Sequence, residues 1–180
     1  MAFQMGIWQV NGDSLSALRA RKLDSEERLE DWIANDPTIL GLNLAVIGRQ
    51  IVTPYGGRID LLCLDQDARL VVLELKRDRT PRDVVAQVLD YGSWIQMLGF
   101  EEIDAICANY RGESLESVYS TIFESSLPDD VNTEHRLYII ASALDDSSER
   151  IVSYLSDSHG VDINVVFFTC FDGPAGEIVA

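Results

Sequence analysis

Histidine and cysteine are scarce in this 180-residue chain, at two and three residues. His135 and His159 lie far apart without ligand-like neighbours, which argues against a histidine-based metal or nucleophile site. Cys63, Cys107 and Cys170 are odd in number, widely spaced and set in apolar patterns. They read as reduced core thiols of a cytoplasmic protein, with neither a disulfide frame nor a zinc site. Long apolar runs are missing too. The longest candidate, Leu70 to Leu73, stops at Glu74, far short of the ~18 residues a membrane span needs. The N-terminus has no basic region leading into an apolar stretch, so it is not a signal peptide. Positive charge is the last shortage: 14 Lys and Arg stand against 30 Asp and Glu, for a net charge of −16.

What is present can fill a core. Hydrophobic residues make up 47% of the chain and charged residues 24%, close to an average globular protein. The acidic balance argues at first against nucleic acid, because a phosphate backbone is bound by Lys and Arg. A local reversal sits inside that average. Between Ile47 and Arg82 there are seven basic residues (Arg49, Arg58, Arg69, Lys76, Arg77, Arg79, Arg82) and five acidic ones. That stretch is +2, so the rest of the chain carries −18.

The apolar N-terminal residues to Val10 read as an edge strand or a partner-binding arm, and Gly12 to Lys22 reads as weakly patterned helix. A firmer helix starts at Asp24 or Ser25, with an oxygen acceptor and an acidic first turn. Its stripe is Leu29, Trp32 and Ile33, and Asn35-Asp36-Pro37 ends it. From Leu44 the period changes to two, and the turn Pro54-Tyr55-Gly56-Gly57 closes this extended segment. Arg58 to Asp65 and Leu70 to Lys76 form a strand hairpin whose near-continuous apolar content suits burial on both faces. Thr80-Pro81 opens a helix as cap and first residue, running to about Leu98, where Gly99 stops it. Asp104 to Asn109 is ambiguous between strand and helix. Ser114 to Ser126 is helical, Arg136 to Leu144 a strand, Ser147 to Ser156 a helix and Asp162 to Phe171 a strand. The last residues, Gly176 to Ala180, read as an edge strand or as a cut in a longer protein. The expected organisation is an N-terminal arm over 1–23 and one α/β domain over 24–180.

Strand alternation puts Glu74 and Lys76 on one face, and the short turn brings Asp60 back beside Glu74. Two carboxylates and one ammonium then converge in a buried sheet, which is costly unless they are paired or metal-bound. A hard cation such as Mg²⁺ or Mn²⁺ takes oxygen ligands of this kind.

The sequence GGRID, thirteen residues and then ELK resembles the core motif of the PD-(D/E)XK nuclease superfamily. Gln87 and Tyr91 match the Q-x-x-x-Y pattern of its RecB-like branch. The run from SEERLEDWIANDPTIL through GRQ, GGRIDLL and LELKRDRTPRDVVAQVLDYGSW is most similar to the nuclease domain of NucS/EndoMS-type endonucleases. The resemblance implies a restriction-endonuclease-like fold, a central mixed β-sheet flanked by helices. It implies a Mg²⁺- or Mn²⁺-dependent endonuclease that hydrolyses DNA in repair or in defence against foreign DNA. Asp60, Glu74, Lys76, Gln87 and Tyr91 are the implied catalytic set, and Asp60, Glu74 and Leu75, with Glu27 at the edge, the metal-site residues. Arg49, Arg58, Arg77, Arg79 and Arg82 are the candidate phosphate contacts. Only about 23 residues precede the first firm helix, too few for the separate DNA-binding domain of those enzymes. A homodimer partner or a further domain or protein would then complete the DNA contact. The alternatives are an exonuclease or structure-selective nuclease, and a non-cleaving module of the same fold that binds nucleic acid or protein.

Overall fold

The computed structural model describes residues 6–80 and 82–180, with the backbone alone at 79 and 80. A hairpin comes first, β1 (Trp8–Asn11) and β2 (Ser14–Ala17), followed by β3 (Arg19–Arg21). These strands replace the helix expected over Gly12 to Lys22. Asn11 pairs with Ser14 across a two-residue Gly12-Asp13 loop, and Gly12 has φ +59°. Asn-Gly before an alternating segment is a hairpin signal that outweighs weak helical patterning.

Helix α1 (Glu26–Asn35) begins as expected, with Ser25 Oγ accepting the Arg28 N–H. A short 3₁₀ turn over Pro37–Leu40 leads into β4 (Leu44–Val52), β5 (Arg58–Asp65) and β6 (Leu70–Thr80). Helices α2 (Asp83–Ile95), α3 (Phe100–Arg111) and α4 (Leu115–Phe123) precede β7 (His135–Leu144). Then come α5 (Asp146–Ser153), continued by a π-helical turn, β8 (Ile163–Phe167), β9 (Cys170–Gly173) and β10 (Gly176–Val179).

Two later elements also differ from the sequence reading, and one ambiguity is settled. The expected helix start at Thr80 gives way to a strand that continues through Thr80; α2 begins at Asp83 with Arg82 in the cap position and no side-chain cap. Pro81 lies outside the described residues. The ambiguous Asp104–Asn109 segment is helix, inside α3, whose buried Ile103 and Cys107 are one turn apart. The single strand expected over Asp162 to Phe171 is two strands in two sheets.

The central sheet runs β4-β5-β6-β7-β8, antiparallel from β4 to β6 and parallel from β6 to β8. Both faces are covered, which explains the uninterrupted apolar strands. On β6, Leu70 and Val72 pack with α2, α3 and α4, while Val71, Leu73 and Leu75 pack with Leu29 and Ile33 of α1. All three cysteines are free and buried. Among the described residues no helix is long and apolar enough to cross a membrane. β3 pairs with β9 and so joins the N-terminal segment to the end of the chain. Arg21 and Arg28 both ion-pair with Asp24 and Glu177 there, linking β3, α1 and β10.

The loop before β7 is fastened by Asn132. Its backbone N–H donates to Ala68 O at 2.9 Å. Its side-chain amide donates to Ile95 O and Leu98 O at 2.7 and 3.1 Å, satisfying carbonyls at the end of α2. Its φ of +61° is one that asparagine tolerates better than alanine. Asn132→Ala should therefore lower unfolding free energy by roughly 1–3 kcal/mol in denaturant titration. An unchanged midpoint would show that water serves those carbonyls equally well.

Candidate active site

The site forms where the β5–β6 ladder ends. β5 and β6 pair from Leu64–Leu70 to Leu61–Leu73, and continuing that register sets Asp60 opposite Glu74. The next inward-facing donor, Leu75 N–H, goes to Asp60 Oδ2 at 2.8 Å rather than to a backbone carbonyl. Glu74 is 1% exposed. Its Oε1 accepts from Lys76 Nζ at 2.6 Å, and its Oε2 is buried with no hydrogen-bond partner. A buried carboxylate oxygen without a partner is expensive, so its retention marks a group waiting for a ligand or a proton.

The electrostatics agree. Burial and the neighbouring Asp60 charge push Glu74 up to about 7, and the Lys76 ammonium only partly opposes them. Burial also raises Asp60 above the usual carboxylate range, against the opposing pull of the Leu75 N–H and Lys76. Burial draws Lys76 down, but the hydrogen bond and charge of Glu74, with Asp60 and Glu26, more than reverse it. Two carboxyl groups that cannot both ionise comfortably thus share one ammonium. The donor set fits a hard divalent cation: adjacent carboxylates, one with an open oxygen, and oxygen or backbone ligands rather than sulfur or imidazole. Among the described residues no cluster of three or more His, Cys, Asp or Glu is assembled to hold a metal.

A cleft of about 360 Å³ opens onto this corner, lined by Glu26, Glu27, Glu30, Arg49, Gln50, Arg58, Asp60 and Leu75. Glu27 is an exposed lining residue near the edge of the site. Its neighbour Glu26 accepts the Arg77 backbone N–H at 2.8 Å, joining α1 to β6.

Gln87 and Tyr91 do not meet the carboxylates. The Tyr91 hydroxyl donates to Arg58 O at 2.9 Å and accepts from Arg58 N–H at 3.2 Å and from Gln87 Nε2 at 2.8 Å. The ring is 1% exposed. Their geometry is that of a clamp on the β5 backbone two residues before Asp60. Gly57 is required beside it, since a Cβ there would sit 2.6 Å from Tyr91 Cε1.

The arginines divide. Arg49 is committed to Glu30 at 2.5 Å and to Asp31 at 2.7 Å. Arg77 reaches Asp24 O and Asp78. Arg58 is exposed at the cleft and makes no ion pair among the described residues, and Arg82 is exposed at the start of α2. The Arg79 side chain lies outside the described residues. Gln50 and Glu30 are not among the site residues named from the sequence. Glu30 is 6% exposed, and Gln50 joins it to Asp60. The signal for Gln50 was the GRQ tripeptide one strand upstream, whose meaning depends on strand register.

The raised Glu74 pKa has a consequence for stability. A folded-state pKa above the unfolded one means the folded chain holds that proton longer. The stabilisation is complete below about pH 4.5 and is lost as pH rises toward about 7. Without divalent cations, wild type should lose up to roughly 3 kcal/mol relative to Glu74→Gln between pH 5 and 8. Parallel stability curves for the two proteins would contradict the buried-pair electrostatics.

Residues 25–106 match the family model of the Endonuclease NucS C-terminal domain. A curated relative, Endonuclease NucS of Sulfolobus acidocaldarius, is 35% identical over 69 residues, which is 38% of this chain and 27% of the relative. Among solved structures, a repair endonuclease from Pyrococcus abyssi is 18% identical with a TM-score of 0.49, over 82% of this chain and 48% of that one. An EndoMS–dsDNA complex is 19% identical with a TM-score of 0.49, over 85% and 51%. The chain thus spans about a quarter of the curated relative it matches and about half of these solved chains. The stretch that matches the NucS C-terminal domain model, residues 25–106, contains Asp60, Glu74 and Lys76.

Proposed function

We infer that this chain is a divalent-metal-dependent endonuclease that hydrolyses DNA phosphodiesters. The observation that carries the reading is the unpartnered, buried Glu74 Oε2 beside Asp60, with Lys76 Nζ 2.6 Å from the other Glu74 oxygen. The Lys76 contact satisfies one Glu74 oxygen alone, and a cation shared with Asp60 would satisfy the other. Asp60, Glu74 and Leu75 would hold Mg²⁺ or Mn²⁺, with Glu27 at the edge, and the ion would offset negative charge building on the phosphate. Lys76 keeps its proton at neutral pH, and its ammonium can orient a water and stabilise charge on the attacked phosphoryl oxygens. Tyr91 and Gln87 act at one remove, holding the Arg58–Asp60 backbone still.

The DNA contact is narrow. Arg58 at the cleft and Arg82 at the start of α2 are the exposed guanidinium groups suited to phosphate. Arg49 and Arg77 are already occupied by internal partners. A chain that is strongly acidic elsewhere then binds DNA weakly and with marked salt sensitivity. A second copy, or a further domain or protein, would supply the remaining contact, and genome repair or removal of foreign DNA are the settings this chemistry suits.

Supercoiled plasmid and single-stranded DNA, incubated with the protein in Mg²⁺ or Mn²⁺, give the test. At least one should be cut, and Lys76→Ala should lower the rate by about 100-fold or more while the protein still melts cooperatively. Cleavage by Lys76→Ala at the wild-type rate would mean that the chemistry lies elsewhere.

A further inference from the structure

One residue in the cleft combines a strained backbone with a side chain that touches both walls. Gln50 stands across from Asp60, between the Arg49–Leu61 and Ile51–Ile59 pairs of β4 and β5. Its φ is +52°, a left-handed conformation that strains a non-glycine residue. Ala68, Glu124 and Asn132 also have positive φ, but they lie in a turn, at a helix end and in a loop. Among the described non-glycine residues only Gln50 has it inside a strand. The neighbouring strand records the same distortion: Ile59 and Leu61 pack into opposite core layers although they are two residues apart, so β5 rotates at Asp60.

The strain delivers an amide to a defined place. Gln50 Nε2 donates to Glu30 Oε2 at 2.8 Å and to Asp60 Oδ1 at 3.1 Å. Glu30 is itself fixed by Arg49 Nε at 2.5 Å, and Arg49 by Asp31 at 2.7 Å. With Leu75 N–H on Oδ2, both oxygens of Asp60 are held. A neutral donor suits this task. It fixes a carboxylate without neutralising it, whereas Lys or Arg in its place would compete with a cation.

We propose that Gln50, anchored by Glu30 and Arg49, is a positioning residue that sets the Asp60 carboxylate so that it and the open Glu74 oxygen can serve one divalent cation. The proposal deepens the nuclease reading and rests on it. A merely structural Gln50 would tie α1 to the sheet, and its loss would lower the melting temperature alone.

The full chain is compared with Gln50→Leu, which removes the donor, and Gln50→Gly, which removes donor and strain together. Each is titrated with Mn²⁺ while its melting temperature is followed, and each is assayed for single-turnover DNA cleavage and for DNA affinity. The Mn²⁺ midpoint should rise, and the cleavage rate fall, by about 10-fold in both variants, with DNA affinity unchanged. Gln50→Gly keeps the test valid if Gln50→Leu fails to fold, because it accepts the strand's backbone geometry. Wild-type midpoints and rates in the variants would overturn the positioning role and leave the nuclease reading standing. A wild-type protein that neither responds to Mn²⁺ nor cuts DNA would overturn both.

Discussion

Two carboxyl groups, Asp60 and Glu74, are held side by side at the end of a strand ladder, with the Lys76 ammonium on one oxygen of Glu74. Like charges in that position repel, and burial denies them water, so the arrangement persists only because the surrounding structure imposes it. The imposing elements are few and local. The continuous core of β5 and β6 fixes register up to Leu61–Leu73. Tyr91 pins the backbone of Arg58 from the α2 side. Gln50 and the Leu75 N–H hold the two oxygens of Asp60. Every one of them acts on strand ends rather than on a loop, which keeps the site precise while its charge remains uncompensated.

This explains how the arginines are used. A chain with few basic residues spends several of them on internal acids: Arg69 on Asp65 and Asp67, Arg136 on Asp162, Arg21 and Arg28 on Asp24 and Glu177. Most of these pairs are solvent-accessible and individually weak. The effect on the cleft is larger, because Arg49 and Arg77 are withdrawn from phosphate and Arg58 stands out as the open one. The local +2 stretch is therefore less basic toward a ligand than its composition suggests.

The central sheet and the site's main residues were legible because their signals are local. Asp60, Glu74 and Lys76 lie on strands whose apolar runs and short turn admit one register, and Ser25 announces α1 through its own cap. Other features depend on tertiary context. The Gly12-Asp13 hairpin was legible in principle from Asn11-Gly12 but was masked by weak helical patterning. Thr80 looks like a helix cap, yet its backbone continues the ladder with β7 as far as Leu144. The break between β8 and β9 arises because Phe168 and Cys170 turn into the α1 layer, which no periodicity announces. Gln50 lies in the GRQ tripeptide, but its role was not legible there, since it comes from a backbone distortion and from partners twenty residues upstream and ten downstream.

The central claim is that Asp60 and Glu74 form a cation site rather than a structural ion pair, and no substrate is needed to test it. Melting curves of wild type and Asp60→Asn in chelator and in 10 mM Mn²⁺ decide the matter. With a Kd on the order of 1 mM, binding to the folded state contributes roughly 1.4 kcal/mol, or about 2–4 °C for a domain of this size. The account predicts that shift in wild type and none in Asp60→Asn. Equal shifts in the two proteins would show that the ion binds the acidic surface at large, contradicting the account at its centre.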